Sequence, residues 1–313
     1  MTARLLDGRP VASRLWRDLG ERVQALQAGG SPQPRLAVLR FDLRGAGAVY
    51  AASVERAARG AGIEPLIVDP PPGIAAGDLA ARIGALNRDP SVAGIVIAHP
   101  IPDHLDPIAV ATAIDPAKDV DGAHPLNAGR VASGRDAFVP ATARAVVALL
   151  RHYEIPIAGR RAVVIGRSGV VGRPVAALLL AEDATVTICH RGTRNLARET
   201  RRADILVVAA GAPRLVRPEM VSPGCTVVDV GINTTPEGIV GDVDFAAVRP
   251  VVAAITPVPG GIGPVTTMVL LEQTITAAER AAARGLDAAL DRFTLHPARQ
   301  ATAPERQETA PER

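Results

Sequence analysis

The chain has 313 residues, 48 % of them hydrophobic and 21 % charged, with a formal net charge of +3. This length favours two domains over one, and the composition is ordinary for a soluble globular protein. Its basic residues are scattered and scarcely interleaved with aromatics, which argues against nucleic-acid binding, and no stretch reaches the roughly 18 apolar residues of a membrane span.

The first half of the chain alternates helix-like and strand-like segments. An amphipathic helix, "VASRLWRDLGERVQAL", and a short strand, "RLAVLRF", precede the helix "VYAASVERAARGAG". In that helix Tyr50 and Val54 are four residues apart and therefore project from one face. The segments "PLIVD", "AGDLAARIGALNRD" and "VAGIVIAHP" continue as strand, helix and strand. Such alternation predicts a mostly parallel sheet covered on both faces.

A Gly-, Pro- and Asp-rich stretch over residues 101–130 is too irregular to predict helices or strands, and long ordered loops are usually functional. After a connecting helix, "ATARAVVALLRHYEI", a second alternation begins near residue 150 with "RAVVIG", "GRPVAALLLAED", "TVTICHR", "ADILVVAAG" and "TVVDVGI". The chain closes with a helix and a polar tail, "TAPERQETAPER", which is predicted to be disordered.

A glycine-rich turn opens the second alternation, in "RAVVIGRSGVVGRPVAALLL". Gly166, Ser168, Gly169 and Gly172 do not complete the dinucleotide-binding pattern G-x-G-x-x-G, because Ser168 takes the second glycine position. The context nevertheless favours that function, since a strand precedes the turn and a helix follows it. Backbone N–H groups at the start of that helix can hold a pyrophosphate.

Cations follow the next strand, "TVTICHR", where a fold that prefers NAD places an acid against the ribose hydroxyls. The chain has His190, Arg191 and Arg194 there, which suit a 2′-phosphate and favour NADP over NAD. Two alternatives remain open on these residues alone. They are a solvated basic loop after an ordinary strand, and a flavodoxin-like domain that binds no dinucleotide.

Several further motifs resemble one family. In chain order they are "DGRPVASRL", "KDVDGAHPLNAGR", "VVIGRSGVVGRP", "ATVTICHRGT", "ADILVVAAGAP", "VVDVGIN", "GDVDF" and "ITPVPGGIGPVT", and they cover residues 5 to 280. Together they resemble the methylenetetrahydrofolate dehydrogenase/methenyltetrahydrofolate cyclohydrolase (FolD) family.

The resemblance implies an α/β fold of two domains with a cleft between them for folate and cofactor. It implies an N-terminal α/β catalytic domain over residues 1–145 and a C-terminal NAD(P)-binding Rossmann domain over residues 146–267. A helix over residues 268–285 is expected to pack back on the first domain, ahead of a disordered tail at 286–313. Family members are usually homodimers, so a homodimer is expected here.

The resemblance also implies the site residues. Gly166, Arg167, Ser168, Arg191 and Ile232 would contact NADP, and no metal is expected. Asp121 would hold the pterin ring, Tyr50 would stack on the substrate, and both would be catalytic. Pro259, Gly260 and Gly261 would line the cleft. Asp121 could instead fix its own turn, and "PVPGGIGP" could be a structural loop, because Gly and Pro are common in turns.

The chain departs from the family in the substrate half. The family's Tyr-x-x-x-Lys has Val54 at the lysine position, and its Gln-Leu-Pro-Leu-Pro reads "AHPIP", with Ala98 at the glutamine position and His99 next. The family's Pro-Cys-Thr-Pro-x-Gly appears as "PATARA". Lys118, the only lysine, matches the family's own "KDVDG" position and provides no substitute for the missing one.

These departures predict different fates for the two family reactions. Oxidation of 5,10-methylenetetrahydrofolate transfers a hydride and depends on orientation, whereas hydrolysis of the methenyl cation needs proton transfer. We expect the NADP-dependent dehydrogenase to be retained and the cyclohydrolase to be lost or weak. His99 is a possible substitute base, but strand alternation turns it away from the lysine's place. Two alternatives are a dehydrogenase for another C1-bearing amine or imine, and a silent nucleotide- or folate-binding protein.

The remaining signals concern the cellular compartment. Cys189 and Cys225 lie in segments that read as buried strands or strand ends, and no disulfide framework is present. The first residues contain no apolar run typical of a signal peptide. We therefore expect a cytoplasmic protein whose partners are a tetrahydrofolate and a second copy of the chain, without nucleic acid or membrane.

Overall fold

A computed structural model describes residues 2–293, which form two parallel sheets and a small two-stranded antiparallel sheet, Asn233–Thr235 with Gly238–Val240, surrounded by helices. The α-helices are α1 (Gly8–Ala28), α2 (Ala46–Gly60), α3 (Ala76–Arg88), α4 (Pro107–Thr112), α5 (Pro125–Ala132), α6 (Ala141–His152), α7 (Gly172–Ala181), α8 (Leu196–Thr200), α9 (Phe245–Val248) and α10 (Ile262–Phe293). The strands are β1 (Arg4–Leu5), β2 (Arg35–Arg40), β3 (Glu64–Val68), β4 (Val92–Ala98), β5 (Arg161–Ile165), β6 (Thr185–Cys189), β7 (Ile205–Val208), β8 (Thr226–Asp229), β9 (Asn233–Thr235), β10 (Gly238–Val240) and β11 (Ala254–Ile255).

The first sheet is three-stranded and parallel, in the order β3-β2-β4. Every residue of β4 is buried, as expected for a parallel strand covered on both faces. Helices α2 and α3 connect its strands, and β2 and β4 pair from Arg35↔Val92 to Arg40↔Ala98. The carboxyl ends of β2 and β4 therefore meet at one edge of the sheet, where Asp42 and His99 follow them.

The second sheet is six-stranded and parallel, in the order β1-β11-β8-β7-β5-β6. Strand β5 comes first in this half of the chain and lies between β6 and β7. The strand order therefore reverses at β5, and ligands bind at such a point in open α/β sheets. The strand from the chain's beginning, β1, completes the far edge by pairing with β11. The predicted two-part α/β architecture is confirmed.

Two short helices lie in the stretch over residues 101–130 that the sequence left irregular. Helix α4 begins after Asp106, whose side chain accepts the Ile108 amide, and α5 begins after His124, whose Nδ1 accepts the Leu126 amide. A proline occupies the first turn of each helix, where it lacks only a hydrogen bond that would be absent anyway. The expectation of no regular structure was therefore wrong: local capping permits two brief helices.

The longest helix, α10, runs along the first half of the molecule and contacts α1 and α6. Its residues Val265, Leu270 and Leu271 belong to a buried cluster that also contains side chains of α1, α2 and α6. The helix begins at Ile262 and ends at Phe293, past the predicted helix end at residue 285. The rest of the predicted tail, residues 294–313, lies outside the described residues.

Two further observations concern exposure. Cys189 and Cys225 are free and buried, as the sequence indicated. No helix within residues 2–293 combines the length and apolar character that crossing a bilayer requires.

Candidate active site

A first cavity lies at the carboxyl ends of β5, β6 and β7, where the strand order of the large sheet reverses. Its lining includes four of the residues that the sequence assigned to the cofactor: Gly166, Arg167, Ser168 and Arg191. Ile232, the fifth, is exposed and is not part of this lining.

The turn after β5 is built on close backbone approaches. Gly166 has φ +123°, and a Cβ on it would overlap the carbonyl oxygen of Ala209. A Cβ on Gly172 would likewise overlap the carbonyl oxygen of Gly166. Both positions therefore need glycine, as in a turn that brings backbone close to a pyrophosphate. Ser168, at the second glycine position, accepts the Val171 amide through Oγ at 3.1 Å and so stabilises the turn that leads into α7.

Positive side chains stand at the open side of this cavity. Arg167 and Arg191 are exposed, and neither forms an ion pair with a carboxylate of residues 2–293. His190 also lines the cavity, whereas Arg194 does not. Two guanidinium groups without a carboxylate partner in the described part of the chain suit a bound phosphate, which Arg binds through paired hydrogen bonds.

A buried carboxylate that the sequence reading did not single out supports the cavity wall. Asp242 accepts the consecutive amides of Ala210, Gly211 and Ala212 at 2.6, 2.9 and 2.9 Å. The neighbouring Asp229 accepts the Asp242 amide at 3.0 Å, and burial raises the pKa of Asp229 to about 6. The only sequence signal was the position of Asp242 in "GDVDF", one of the motifs that carried the resemblance.

A second cavity lies between the two halves of the molecule. The first half provides His99 and Asp121. The second half provides Gly169 and Val170 from the turn before α7 and Arg173 from the first turn of α7. The glycine-rich segment therefore borders both cavities, with Gly166 on one and Gly169 on the other. A nucleotide in the first cavity and a ligand beside Asp121 would lie next to each other.

Asp121 is the central titratable group of the second cavity. Burial raises the pKa of its carboxyl to about 7, and the nearby charge of Asp119 adds to this increase. The Ala141 amide donates to Oδ1 of Asp121 at 3.2 Å and acts in the opposite direction. A carboxyl with this pKa is present in both protonation states near neutral pH, so it can accept or donate a hydrogen bond.

Tyr50 lies near Asp121 on the first turns of α2. Its ring is partly buried and packs against the main apolar cluster. Burial, with a smaller contribution from the charge of Asp121, raises the pKa of the Tyr50 hydroxyl far above its usual value. The phenol therefore stays protonated at neutral pH and cannot act there as a base.

The family's lysine and glutamine positions lie within one apolar cluster. Val54 and Ala98 are both fully buried, and Ala141, at the family's cysteine position, is 1 % exposed in the same cluster. His99, the residue after Ala98, is exposed and lies in the wall of the second cavity. Partial burial lowers the pKa of its imidazole. His99 follows the last residue of β4 and lines the second cavity, whereas Ala98 and Val54 lie in the apolar cluster.

The predicted cleft-lining turn, Pro259–Gly261, connects β11 to α10. It is held by the beginning of α1, where the Gly8 amide donates to the Gly260 carbonyl oxygen at 2.8 Å. A Cβ on Gly8 would overlap the carbonyl oxygen of Gly261. The turn borders neither of the two cavities described above.

Comparison with protein families supports the fold and the two-domain family assignment. Residues 6–121 match the catalytic domain of tetrahydrofolate dehydrogenase/cyclohydrolase, and residues 140–282 match the NAD(P)-binding domain of the same family. A bifunctional FolD protein of Bordetella avium is 47 % identical over 281 residues, which are 90 % of this chain and 99 % of the relative. One from Acidiphilium cryptum is 49 % identical over 89 % of this chain and 99 % of its own length.

Solved structures agree. The FolD dehydrogenase/cyclohydrolase of Campylobacter jejuni is 42 % identical and superposes with a TM-score of 0.87 over 89 % of this chain and 99 % of its own. The Trypanosoma brucei FolD enzyme, solved with NADP cofactor and an inhibitor, is 38 % identical with a TM-score of 0.85, over 90 % of this chain and 99 % of its own.

These matches confirm the predicted resemblance, the oxidoreductase class and the nicotinamide dinucleotide cofactor. Both family domains occur in order on one chain, and the close relatives are matched over nearly their whole length. The chain belongs to the tetrahydrofolate dehydrogenase/cyclohydrolase family.

Proposed function

We propose that the protein oxidises 5,10-methylenetetrahydrofolate to 5,10-methenyltetrahydrofolate with NADP, and that its cyclohydrolase activity is lost or weak. The observation that carries this proposal is the fully buried, apolar Val54 at the position of the family's lysine. The relatives named as bifunctional support the substrate and the first reaction. Because Val54 and its surroundings are apolar, we expect the second family reaction, hydrolysis of the methenyl cation, to be lost or weak in this chain.

The adjacent cavities support hydride transfer. When bound, NADP supplies the nicotinamide ring that accepts a hydride from the methylene carbon, and the lone pair of an adjacent folate nitrogen forms the C=N bond of the methenyl cation. The chain's residues then have only to orient the two ligands. Gly169, Val170 and Arg173 from the nucleotide-binding half, facing Asp121 and His99, suit that task.

Asp121, Tyr50 and the turn at residues 259–261 are proposed to bind the folate. The carboxyl of Asp121 would hold the pterin ring by hydrogen bonds, and Tyr50 would provide a flat surface for stacking. The turn lies outside the lining of the second cavity, so it would contact the part of the folate that extends beyond that cavity. The charge of Asp121 contributes to the raised pKa of the Tyr50 hydroxyl, so the two side chains are close enough to share a site.

Hydrolysis of the methenyl cation requires a group that activates water and moves protons. Val54, Ala98 and Ala141 have no such group, and the Tyr50 hydroxyl, which is protonated at neutral pH in any case, is made still harder to deprotonate by its raised pKa. Loss of general acid–base help costs about 10²- to 10⁴-fold in rate. Any residual activity would depend on Asp121 or His99, the titratable side chains of the second cavity with a pKa or exposure suited to proton transfer.

The preference for NADP is supported by Arg167 and Arg191. Their guanidinium groups border the first cavity without a carboxylate partner among the described residues, so a 2′-phosphate would supply the missing charge. Gly166, Ser168 and Ile232 are proposed as further NADP contacts. The NADP-bound T. brucei relative is consistent with this assignment.

A homodimer is proposed as well. Strand β6 forms one edge of the large sheet, and its residue Ile188 is 41 % exposed. Leu180, on the preceding helix, is 63 % exposed. An exposed edge strand with apolar side chains can pair with the same edge of a second copy. Light scattering coupled to size-exclusion chromatography should give twice the chain mass, and a single-chain mass would refute the dimer.

A coupled spectroscopic assay tests the proposed reaction. The protein is mixed with 5,10-methylenetetrahydrofolate and NADP, and NADPH and methenyltetrahydrofolate are followed separately. We expect one methenyl product to accumulate for each NADPH. Prompt conversion to 10-formyltetrahydrofolate, faster than in a buffer control, would refute the loss of hydrolysis. NADP binding without binding of tetrahydrofolate would instead indicate a different C1-bearing amine or imine.

A further inference from the structure

The side chain of Gln273, on α10, is fully buried and uses its whole carboxamide in hydrogen bonds. Its Nε2 donates to the carbonyl oxygens of Val120 and Val139, at 2.7 and 2.9 Å. Its Oε1 accepts the Val139 amide at 3.0 Å. One side chain of α10 therefore connects two segments of the chain. The segments are separate from each other in sequence, and both lie far from α10 in sequence.

These two segments carry Asp121 and its backbone donor. Val120 directly precedes Asp121, and Val139 lies two residues before Ala141, whose amide donates to Oδ1 of Asp121. The segments also touch directly, because a Cβ on Gly122 would come within 2.5 Å of the Val139 carbonyl carbon. A shift of either segment would therefore move the Asp121 carboxyl relative to the Ala141 amide.

The other flank of Asp121 is fixed by Asp119. This carboxylate accepts the amides of Ala123 and His124 and the Nδ2 of Asn127, at 3.0, 2.8 and 2.8 Å. The backbone after Asp121 is thus held by its own loop. The backbone before it is held by the amides of Asp119 and Val120, which donate to the carbonyl oxygens of Asp115 and Lys118, and by Gln273, which donates to the Val120 carbonyl oxygen.

Helix α10 also connects this network to the glycine-rich turn at residues 259–261. The helix begins at Ile262, immediately after that turn, and reaches Gln273 about 16 Å further along its axis. A single rigid element therefore sets the spacing between the turn and Asp121, which are both proposed to contact the folate.

We propose that Gln273 is a positioning residue for the folate-binding carboxyl of Asp121. It acts by holding together the segments that carry Asp121 and the Ala141 amide. This inference rests on the proposed function, in which Asp121 binds the pterin ring. It predicts that the carboxamide matters for folate and not for NADP, whose cavity has no contact with Gln273.

The test compares Gln273→Leu with a control, Thr274→Val, at the next position. Thr274 is also fully buried, but its hydroxyl donates only within the helix, to the Leu270 carbonyl oxygen. Gln273→Leu should lower kcat/KM for methylenetetrahydrofolate by about 10- to 100-fold, the scale of a misplaced binding group. The Kd for NADP should stay unchanged, and Thr274→Val should leave both values unchanged.

A double-mutant cycle separates positioning from general loss of structure. In an Asp121→Asn background, Gln273→Leu should reduce folate affinity much less than in the wild type, because residues that act through each other are not additive. An equal reduction in both backgrounds, or a parallel loss of NADP affinity, would overturn the proposal. If Gln273→Leu does not fold, Gln273→Asn, which is too short to reach both carbonyls, replaces it.

Amide hydrogen exchange tests the positioning role of Gln273 without any substrate. The amides of Val139 and Ala141 should exchange faster in Gln273→Leu than in the wild type, while that of Ala210, in the nucleotide half, should not change. Unchanged exchange at Ala141 would overturn the positioning role. A wild type that folds, binds NADP and does not oxidise methylenetetrahydrofolate would overturn the proposed function instead, and the exchange data would still decide the role of Gln273.

Discussion

The amide of Gly8, at the start of α1, donates a hydrogen bond to the carbonyl oxygen of Gly260 at 2.8 Å. The two residues are separated by almost the whole described chain, and there is no room for a Cβ on Gly8 beside the Gly261 carbonyl. Gly8 of the N-terminal "DG" motif therefore helps to hold the turn that precedes α10 in place.

Gly8→Ala should displace that turn. We expect kcat/KM for the folate to fall by at least about tenfold, because small shifts of binding groups have large effects on rate. Overpacking should also destabilise the fold by about 1–3 kcal/mol. Gly20→Ala is the matched control on the same helix, since a Cβ there meets nothing within 4 Å. It should be neutral or stabilise by up to about 1 kcal/mol. Equal kinetics in the two variants would contradict a role for Gly8.

The buried site of Val54 and Ala98 allows a gain-of-function experiment. The double variant Val54→Lys, Ala98→Gln restores the family's residues, and methenyltetrahydrofolate should then disappear faster by part of the 10²- to 10⁴-fold contribution of acid–base groups. The lifetime of the methenyl product is the measurement. Val54→Met with Ala98→Gln is the control for side-chain size, because it adds length without a titratable amine. If both variants behave alike, proton transfer by the lysine is not the cause.

Arg191 and Arg194 differ in position although both follow β6. Arg191 lines the first cavity and Arg194 does not. Arg191→Ala should raise KM for NADP by about 10- to 100-fold, since a hydrogen bond to a charged group contributes about 1.5–3 kcal/mol. KM for NAD should change little, and Arg194→Ala should have no effect on either. A similar rise for NADP and NAD would place the Arg191 contact away from the 2′-phosphate.

The raised pKa of Asp121 has a consequence for stability. Burial raises this pKa from 3.8 to about 7, so the folded chain binds the proton more tightly than the unfolded chain. Between these values the folded state holds more protons, and the contribution of Asp121 to the free energy of unfolding falls as pH rises. Each pKa unit corresponds to about 1.4 kcal/mol.

Asp121→Asn should therefore become more stable relative to the wild type as pH increases from 4 to 7, and the difference should level off above that range. Urea denaturation of both proteins at several pH values measures it. A stability difference that does not change with pH would show that the Asp121 pKa is close to its ordinary value.

Much of the architecture follows from local pattern. Alternating apolar strands and amphipathic helices predicted two α/β units. The glycine-rich turn predicted the nucleotide cavity, because Gly166 and Gly172 are required where backbone segments approach each other closely. Val54 and Ala98 were recognisable only through the resemblance, since a valine on a helix and an alanine in a strand are unremarkable alone.

The features that the sequence did not predict depend on distant contacts or on caps. Strand β1 is too short to show periodicity, and its partner β11 lies at the other end of the described chain. Gln273 looks like an ordinary polar helix residue until its contacts with Val120 and Val139 are known. Helices α4 and α5 were missed because caps at Asp106 and His124 outweigh the weak helical pattern.

The pairing of β1 with β11 also bears on the order in which the protein can assemble during synthesis. Arg4 and Leu5 are synthesised well before their partners Ala254 and Ile255, which lie in the second half of the chain. Domains usually form as units while the chain emerges, N-terminal part first. Strand β1 has no place in the three-stranded sheet and can pair only after β11 has been synthesised. The large sheet therefore gains its final edge only after the nucleotide-binding half has been synthesised.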